Sequence, residues 1–214
     1  MKTNLNKLVI LGKSDATITM ILDNLESCND FKHITIVNNL NLPIVDRIDN
    51  EKFTIDISNN ISDFNDVFLG VYKPNIKLKV FESFDISLEN FITIIHNTSS
   101  ISSTSELGKG CLVNSLVSVA AHTKIGNFVS INRNCSIGHH TSIGDFSTLN
   151  PGVNCGGNVT IGEETIIGMG TTIFNGVTIG NNSIIGAGSV VTKSIPDGVV
   201  AWGNPCKIIR NNET

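Results

Sequence analysis

The sequence predicts a parallel β-helix preceded by a smaller α/β unit, and three observations carry that reading. An apolar residue recurs at every sixth position without insertion: Ile95, Ile101, Leu107, Val113, Val119, Ile125, Ile131, Ile137, Ile143, Leu149, Cys155, Ile161, Ile167, Ile173, Ile179, Ile185 and Val191. A period of about 3.6 marks an amphipathic helix and a period of about 2 a half-buried strand, so a strict six is the mark of a solenoid. The residues that follow these positions sort into columns: Gly108, Gly126, Gly144, Gly162 and Gly180; Asn114, Asn132, Asn150, Gly168 and Gly186; and a less regular Ser102, Ala120, Gly138, Gly156 and Phe174. Such columns arise when three hexads close a triangular turn of about eighteen residues. Finally, residues before Asn90 lack the rhythm and read as alternating strand and helix.

Leu8 to Leu11 is a short apolar strand, Gly12 to Asp15 a turn, Ala16 to Glu26 a helix and Ile34 to Val37 a second strand. That is a βαβ opening, with further strands expected at Phe53 to Ile57 and Val67 to Val71. Sheets of this kind hold ligands beyond the carboxyl ends of their strands, which makes Gly12, Lys13, Ser14, Asn38, Gly70 and Tyr72 the candidate substrate-binding positions. The run Gly12-Lys13-Ser14-Asp15-Ala16-Thr17 is not G-x-G-x-x-G, which argues against a dinucleotide site.

In the coil, the sixth-position residues and the smaller residues four places later, such as Cys111, Thr123, Cys135, Ser147 and Thr165, are expected to point inward. The Gly or Asn directly after each sixth-position residue is expected to turn a corner with positive φ. Five cysteines show no C-x-x-C pair, and Cys111, Cys135 and Cys155 fall on inward positions, as core fillers do.

At 214 residues the chain can bury a real core without staples. A formal net charge of −4 offers no broad basic surface for nucleic acid. Lys7-Leu8-Val9-Ile10-Leu11 is too short for a signal sequence or a membrane span, and the expected location is cytoplasmic.

The chemistry is expected at His139-His140, which follow Gly138 on the irregular column. Stacking by eighteen puts Gly157 one turn above His139 and His122 one turn below His140. Histidine has an unperturbed pKa of roughly 6.5, and a glycine amide left open beside it can hold an oxyanion. A base beside a backbone donor is the minimum geometry for acyl transfer.

Val119 to Arg210 resembles the hexapeptide-repeat acyltransferases, above all in Ser136 to Phe146, Cys155 to Gly162, Ile185 to Val191 and Gly203-Asn-Pro-Cys-Lys207. More narrowly it is similar to the sialic-acid O-acetyltransferase and bacillosamine-pathway sugar N-acetyltransferase subgroup, whose entry segment Ile95-His96-Asn97-Thr98 also matches. The resemblance implies a Rossmann-like nucleotide-sugar-binding domain over 1–92 and a left-handed parallel β-helix with a C-terminal tail over 93–214. It also implies a homotrimer with acetyl-CoA in the groove between coils and no metal. It places the catalytic base on His139, the oxyanion amide on Gly157 and a motif asparagine on Asn132, with Gly157, Gly168, Gly186, Ala187, Trp202, Pro205 and Lys207 along the coenzyme. Where the family carries Asp or Glu after the base this chain has His140, and a further family histidine maps to Thr148.

The expected reaction is N-acetylation of a nucleotide-linked 4-amino-4,6-dideoxy hexose for surface glycans, because an amine relies less on an activated base than a hydroxyl does. O-acetylation of a sugar such as sialic acid is the alternative. A zinc hydratase built on His122, His139 and His140 and a non-catalytic scaffold are more remote, the first for want of an acidic outer shell.

Overall fold

The computed structural model describes residues 7–12, 14–28, 31–37, 52–58 and 65–213. From Ile94–Ile95 to Val190–Val191 the chain is a succession of two-residue strands, one per hexad. Each pairs in parallel with the strand one turn away, as Ser136–Ile137 does with Ser118–Val119 below and Asn154–Cys155 above. The strands sort into three sheets, so the coil is a parallel β-solenoid of triangular section.

The sixth-position residue is the second residue of every strand, and from Val113 onward each is buried. The smaller inward residues are buried too, and their hydroxyls stitch neighbouring turns: Ser147 Oγ donates to Gly162 O at 2.7 Å and Thr165 Oγ1 to Gly180 O at 2.7 Å. A buried hydroxyl is costly only when unpaired. Cys111, Cys135 and Cys155 are free and buried, and burial pushes their thiols up to about 11, 11 and 12. They are fillers, not nucleophiles.

The corner works differently from expectation. Positive φ falls on the third residue after the sixth-position aliphatic, at Leu116, His122, Phe128, Asn134, His140 and Phe146 among others, not on the first. Glycine is favoured at the first for another reason, the close approach of the turn above: a Cβ on Gly138 would lie 2.5 Å from Gly157 N, and one on Gly144 2.6 Å from Glu163 N. Gly138→Val should therefore cost about 1–3 kcal/mol through overpacking. An unchanged urea midpoint would contradict this.

Before the coil, β1 (Lys7–Leu11), β2 (His33–Val37), β3 (Thr54–Ser58) and β4 (Val67–Leu69) form one parallel sheet in the order β3-β2-β1-β4. The expected helix is α1 (Asp15–Cys28); α2 (Pro74–Glu82) was not foreseen. Strand order reverses between β1 and β4, so their carboxyl ends bracket a switch point. There Gly12 turns with φ 84°, Gly70 N–H donates to Leu11 O at 2.8 Å, and Ser14 N–H donates to Gly70 O at 3.1 Å.

This sheet and its helices cover one face of the coil. Outward strand residues on the other two faces, such as Ser118, Lys124, Ser136, Asn154 and Thr160, are exposed. On the covered face Ile94, Leu112, Ser130 and Thr148 are buried. The asparagine column docks there: Asn24 Nδ2 donates to Asn114 Oδ1 at 2.6 Å, Tyr72 Oη donates to Asn150 Oδ1 at 2.9 Å, and Asn132 Nδ2 donates to Tyr72 Oη at 3.4 Å. Lys77 on α2 is buried, its Nζ donating to Phe128 O and Ser130 Oγ at 2.8 Å and to Thr148 Oγ1 at 3.5 Å. Burial pulls its amine down to about 7. The Phe128 ring packs against Phe81 and Phe91 and stacks on Phe146 at 4.9 Å. Among the described residues no helix is long and apolar enough to cross a membrane.

Candidate active site

His139 stands exposed on the corner after strand Ser136–Ile137. Its Nδ1 lies 3.1 Å from His140 Nδ1, with the rings at 87°, and the His140 ring lies 4.9 Å from that of His122 one turn below. The opposite edge of the His139 ring rests on Gly157: a Cβ there would come within 2.6 Å of Nε2. The imidazole is thus strung between His140 and a glycine that leaves it room. His140 holds φ 58°, a positive value shared at the same corner position on other turns, among them His122 at 59°.

The Gly157 amide is not open as expected. Its N–H donates to Asn175 Oδ1 at 3.0 Å. The cause is a general device of this coil, in which an Asn or Asp reaches down one turn to accept a backbone N–H. Asn127 does so for Lys109 at 2.9 Å, Asp145 for Asn127 at 2.7 Å and Asn181 for Glu163 at 2.8 Å. The signal was present in the sequence, as Asn127 and Asp145 stand eighteen apart and Asn175 stands eighteen above Gly157.

A cleft of about 500 Å³ opens at the switch point between sheet and coil, lined among others by Ser14, Thr17, Met20, Tyr72, Asn132 and Asn150. That volume suits a small-molecule ligand. Of the expected substrate residues, Ser14 and Tyr72 line this cleft, Gly12 and Gly70 shape the loops behind it, and Lys13 and Asn38 lie outside the described residues. Met20, Thr17 and Asn150 were missed, since nothing in local sequence says which coil corner the sheet covers. Burial raises the pKa of the Tyr72 hydroxyl, keeping it a neutral donor.

Within one chain Asn132 lies at this cleft and not beside the histidines: it follows strand Ser130–Ile131, one corner before His139. Thr148, at the further family histidine, is buried and donates to Tyr72 O at 3.4 Å.

The expected coenzyme residues other than Gly157, which lies at the His139 corner, share the Asn132 corner. Gly168 and Gly186 continue its column, and a Cβ on Gly186 would come within 2.7 Å of Trp202 Cβ. Trp202 lies on Val199–Gly203, the first strand of a terminal hairpin, and faces Lys207 across it, while Pro205 sits at the turn. Met169, 59% exposed, and Trp202, 46% exposed, give this edge an apolar surface. Within one chain, then, the cleft and the expected coenzyme edge share one corner and His139 occupies the next. Among the described residues no group of three or more His, Cys, Asp or Glu stands in position to hold a metal ion.

Residues 158–193 match the family described as bacterial transferase hexapeptide (six repeats). The chain shares its fold with several solved structures. A mutant of perosamine N-acetyltransferase from Caulobacter crescentus, in complex with CoA and GDP-perosamine, superposes with a TM-score of 0.82 at 24% identity, covering 97% of this chain and 99% of that one. The acetyltransferase domain of PglB from Neisseria gonorrhoeae gives 0.83 at 23% identity over 95% and 100%. WeeI from Acinetobacter baumannii gives 0.76 at 21% identity over 95% and 100%. At these identities the likeness establishes a common fold. No curated protein matches the chain by sequence.

Proposed function

We propose that the protein is an acetyl-CoA-dependent N-acetyltransferase acting on a nucleotide-linked 4-amino-4,6-dideoxy hexose for surface-glycan synthesis. Residues 1–92 form a Rossmann-like domain that holds the nucleotide sugar, and residues 93–214 form a left-handed β-helix. The observation that carries the reading is the His139 imidazole, held at Nδ1 by His140 and resting at its Nε2 edge on Gly157. The fold it shares with sugar N-acetyltransferases solved with CoA and GDP-perosamine supports the choice of substrates.

With the Nδ1 proton donated to His140, the lone pair of His139 sits on Nε2. The neutral sugar amine attacks the thioester carbonyl, forming the C–N bond, and its proton passes to Nε2. The tetrahedral intermediate collapses with cleavage of the C–S bond, and the imidazolium returns the proton to the departing CoA sulfur. His140 does the orienting that an acidic neighbour performs elsewhere, without adding a negative charge. An amine tolerates that loss better than a hydroxyl.

Because the cleft and the coenzyme edge lie one corner away from His139, the complete site is formed between copies of the chain. A cytoplasmic homotrimer, with each His139 corner facing a neighbour's Asn132 corner, closes it. The test is thiol release from acetyl-CoA with GDP-perosamine and with UDP- and dTDP-linked amino sugars. Release with an amino sugar supports the reading; release with sialic acid alone, or with none of them, overturns it.

A further inference from the structure

We propose that Asn175 supplies the side-chain donor for the thioester oxygen, through the amide nitrogen left over once its own oxygen has accepted the Gly157 N–H. The inference rests on the acetyl-transfer reading above and changes which group holds the oxyanion.

Four observations lead to it. The Gly157 N–H is already committed, donating to Asn175 Oδ1 at 3.0 Å, so it presents no open donor beside His139. Asn175 and His139 flank the same glycine, the carboxamide on its N–H and the imidazole edge where its Cβ would be. Two turns of a β-solenoid span only about 9.6 Å, and the Asn175 side chain reaches back toward His139 across one of them. A group placed between the two can meet both.

The second amide atom is what separates Asn175 from its counterparts. Asn127 Nδ2 donates to Asp145 Oδ2 at 3.2 Å and Asn181 Nδ2 donates to Asp197 Oδ2 at 3.5 Å, so those carboxamides are spent on the coil. Eighteen residues above Asn175 the chain has Lys193, which offers no acceptor, and among the described residues Asn175 Nδ2 has no partner. Asn175 is exposed in the wall of a groove of about 490 Å³, shared with Gly156 and with Phe174, which is 51% exposed. Accepting the Gly157 N–H also polarises the carboxamide, which strengthens its N–H as a donor. Phe174 and Asn175 thereby account for the irregularity of this column: one gives the groove an apolar wall and the other a fixed polar group.

The chemistry needs one adjustment to the scheme above. As the amine adds, negative charge gathers on the former carbonyl oxygen and is met by Asn175 Nδ2, while Gly157 holds the carboxamide in place. No bond beyond those already described forms or breaks.

Three variants test this with acetyl-CoA and the amino-sugar nucleotide that the unaltered chain turns over best, alongside calorimetric titration with CoA. Asn175→Ala should lower kcat by about a hundredfold to a thousandfold, the usual loss for one oxyanion donor, with CoA affinity unchanged. Asn175→Asp keeps an acceptor for Gly157 but has no N–H, and should be at least as slow. Asn175→Gln, which restores the donor on a longer arm, should recover part of the loss. A kcat for Asn175→Ala within about threefold of the unaltered chain, or above it, overturns the proposal, because the freed Gly157 amide would then hold the oxygen itself. Equal loss in all three with lost CoA binding also overturns it, as a structural role. An unaltered chain that neither binds CoA nor releases thiol would instead remove the acetyl-transfer reading.

Discussion

His139→Ala should lower acetyl transfer by about a hundredfold to ten-thousandfold, the span of general-base catalysis, while leaving the coil intact. The side chain is exposed and lies against the His140 ring and the Gly157 backbone, so its removal opens no cavity in the core. Exposed substitutions of this kind move stability by about 0.5 kcal/mol or less. In the proposed mechanism the imidazole acts when the amine gives up its proton, not when CoA binds, so kcat should carry the loss. Unchanged turnover would remove His139 as the base even if the protein is a transferase. A parallel fall in thermal stability would make it a structural residue.

Lys77 should make the folded chain more stable as pH rises from 7 toward 9. Its amine is held at about 7 against an ordinary 10.5, so over that interval the unfolded chain carries a proton that the folded chain lacks. Stability rises with pH wherever the unfolded state binds more protons, by up to about 1.4 kcal/mol per pH unit for one group. Two units give about 2–3 kcal/mol from Lys77 taken alone. From about pH 8 the interior thiols oppose this, and by about pH 9 they outweigh it: their ordinary value is 9.0, and burial lifts Cys111 and Cys135 to about 11 and Cys155 to about 12. There the folded chain keeps protons that the unfolded chain has lost, and stability falls. Lys77→Met, which places an unbranched apolar chain in the same buried space, should abolish the rising limb and leave the falling one. Urea midpoints across the range would show this. A rising limb that survives in Lys77→Met would assign it to other groups.

The coil was legible because its rule is local and repeated. One misplaced residue every sixth position would have broken it, and the interior it predicts is the interior observed, down to the thiols of Cys111, Cys135 and Cys155. The corner was misread because two different demands meet there. Positive φ is imposed three residues past the aliphatic, where even Phe128 and Phe146 accept it, while the glycines one residue past it answer to the turn above. The asparagine column had a third cause, the docking of Asn24 and Tyr72, which belong to a distant stretch of chain. A trace of that docking is visible in hindsight, since Ile94 and Leu112 are apolar at outward positions where the other faces carry polar residues.

The site divided in the same way. Stacking by eighteen brought His139 to Gly157 and His122 to His140, as the structure has them. It also placed Asn175 above Gly157, but the capture of an amide by a side chain one turn up depends on rotamer and reach, which spacing does not encode. Met20 and Asn150 were out of reach for a different reason: they meet only because the switch point of the sheet lies against one corner of the coil.

Transfer of an acetyl group to an amine on a nucleotide-linked sugar is witnessed most directly by the bond that forms. The product of acetyl-CoA and the best amino-sugar nucleotide should gain one acetyl group that survives treatment with hydroxylamine, as an amide does. An acetyl group removed by hydroxylamine would be an ester, and would place the reaction on a hydroxyl instead.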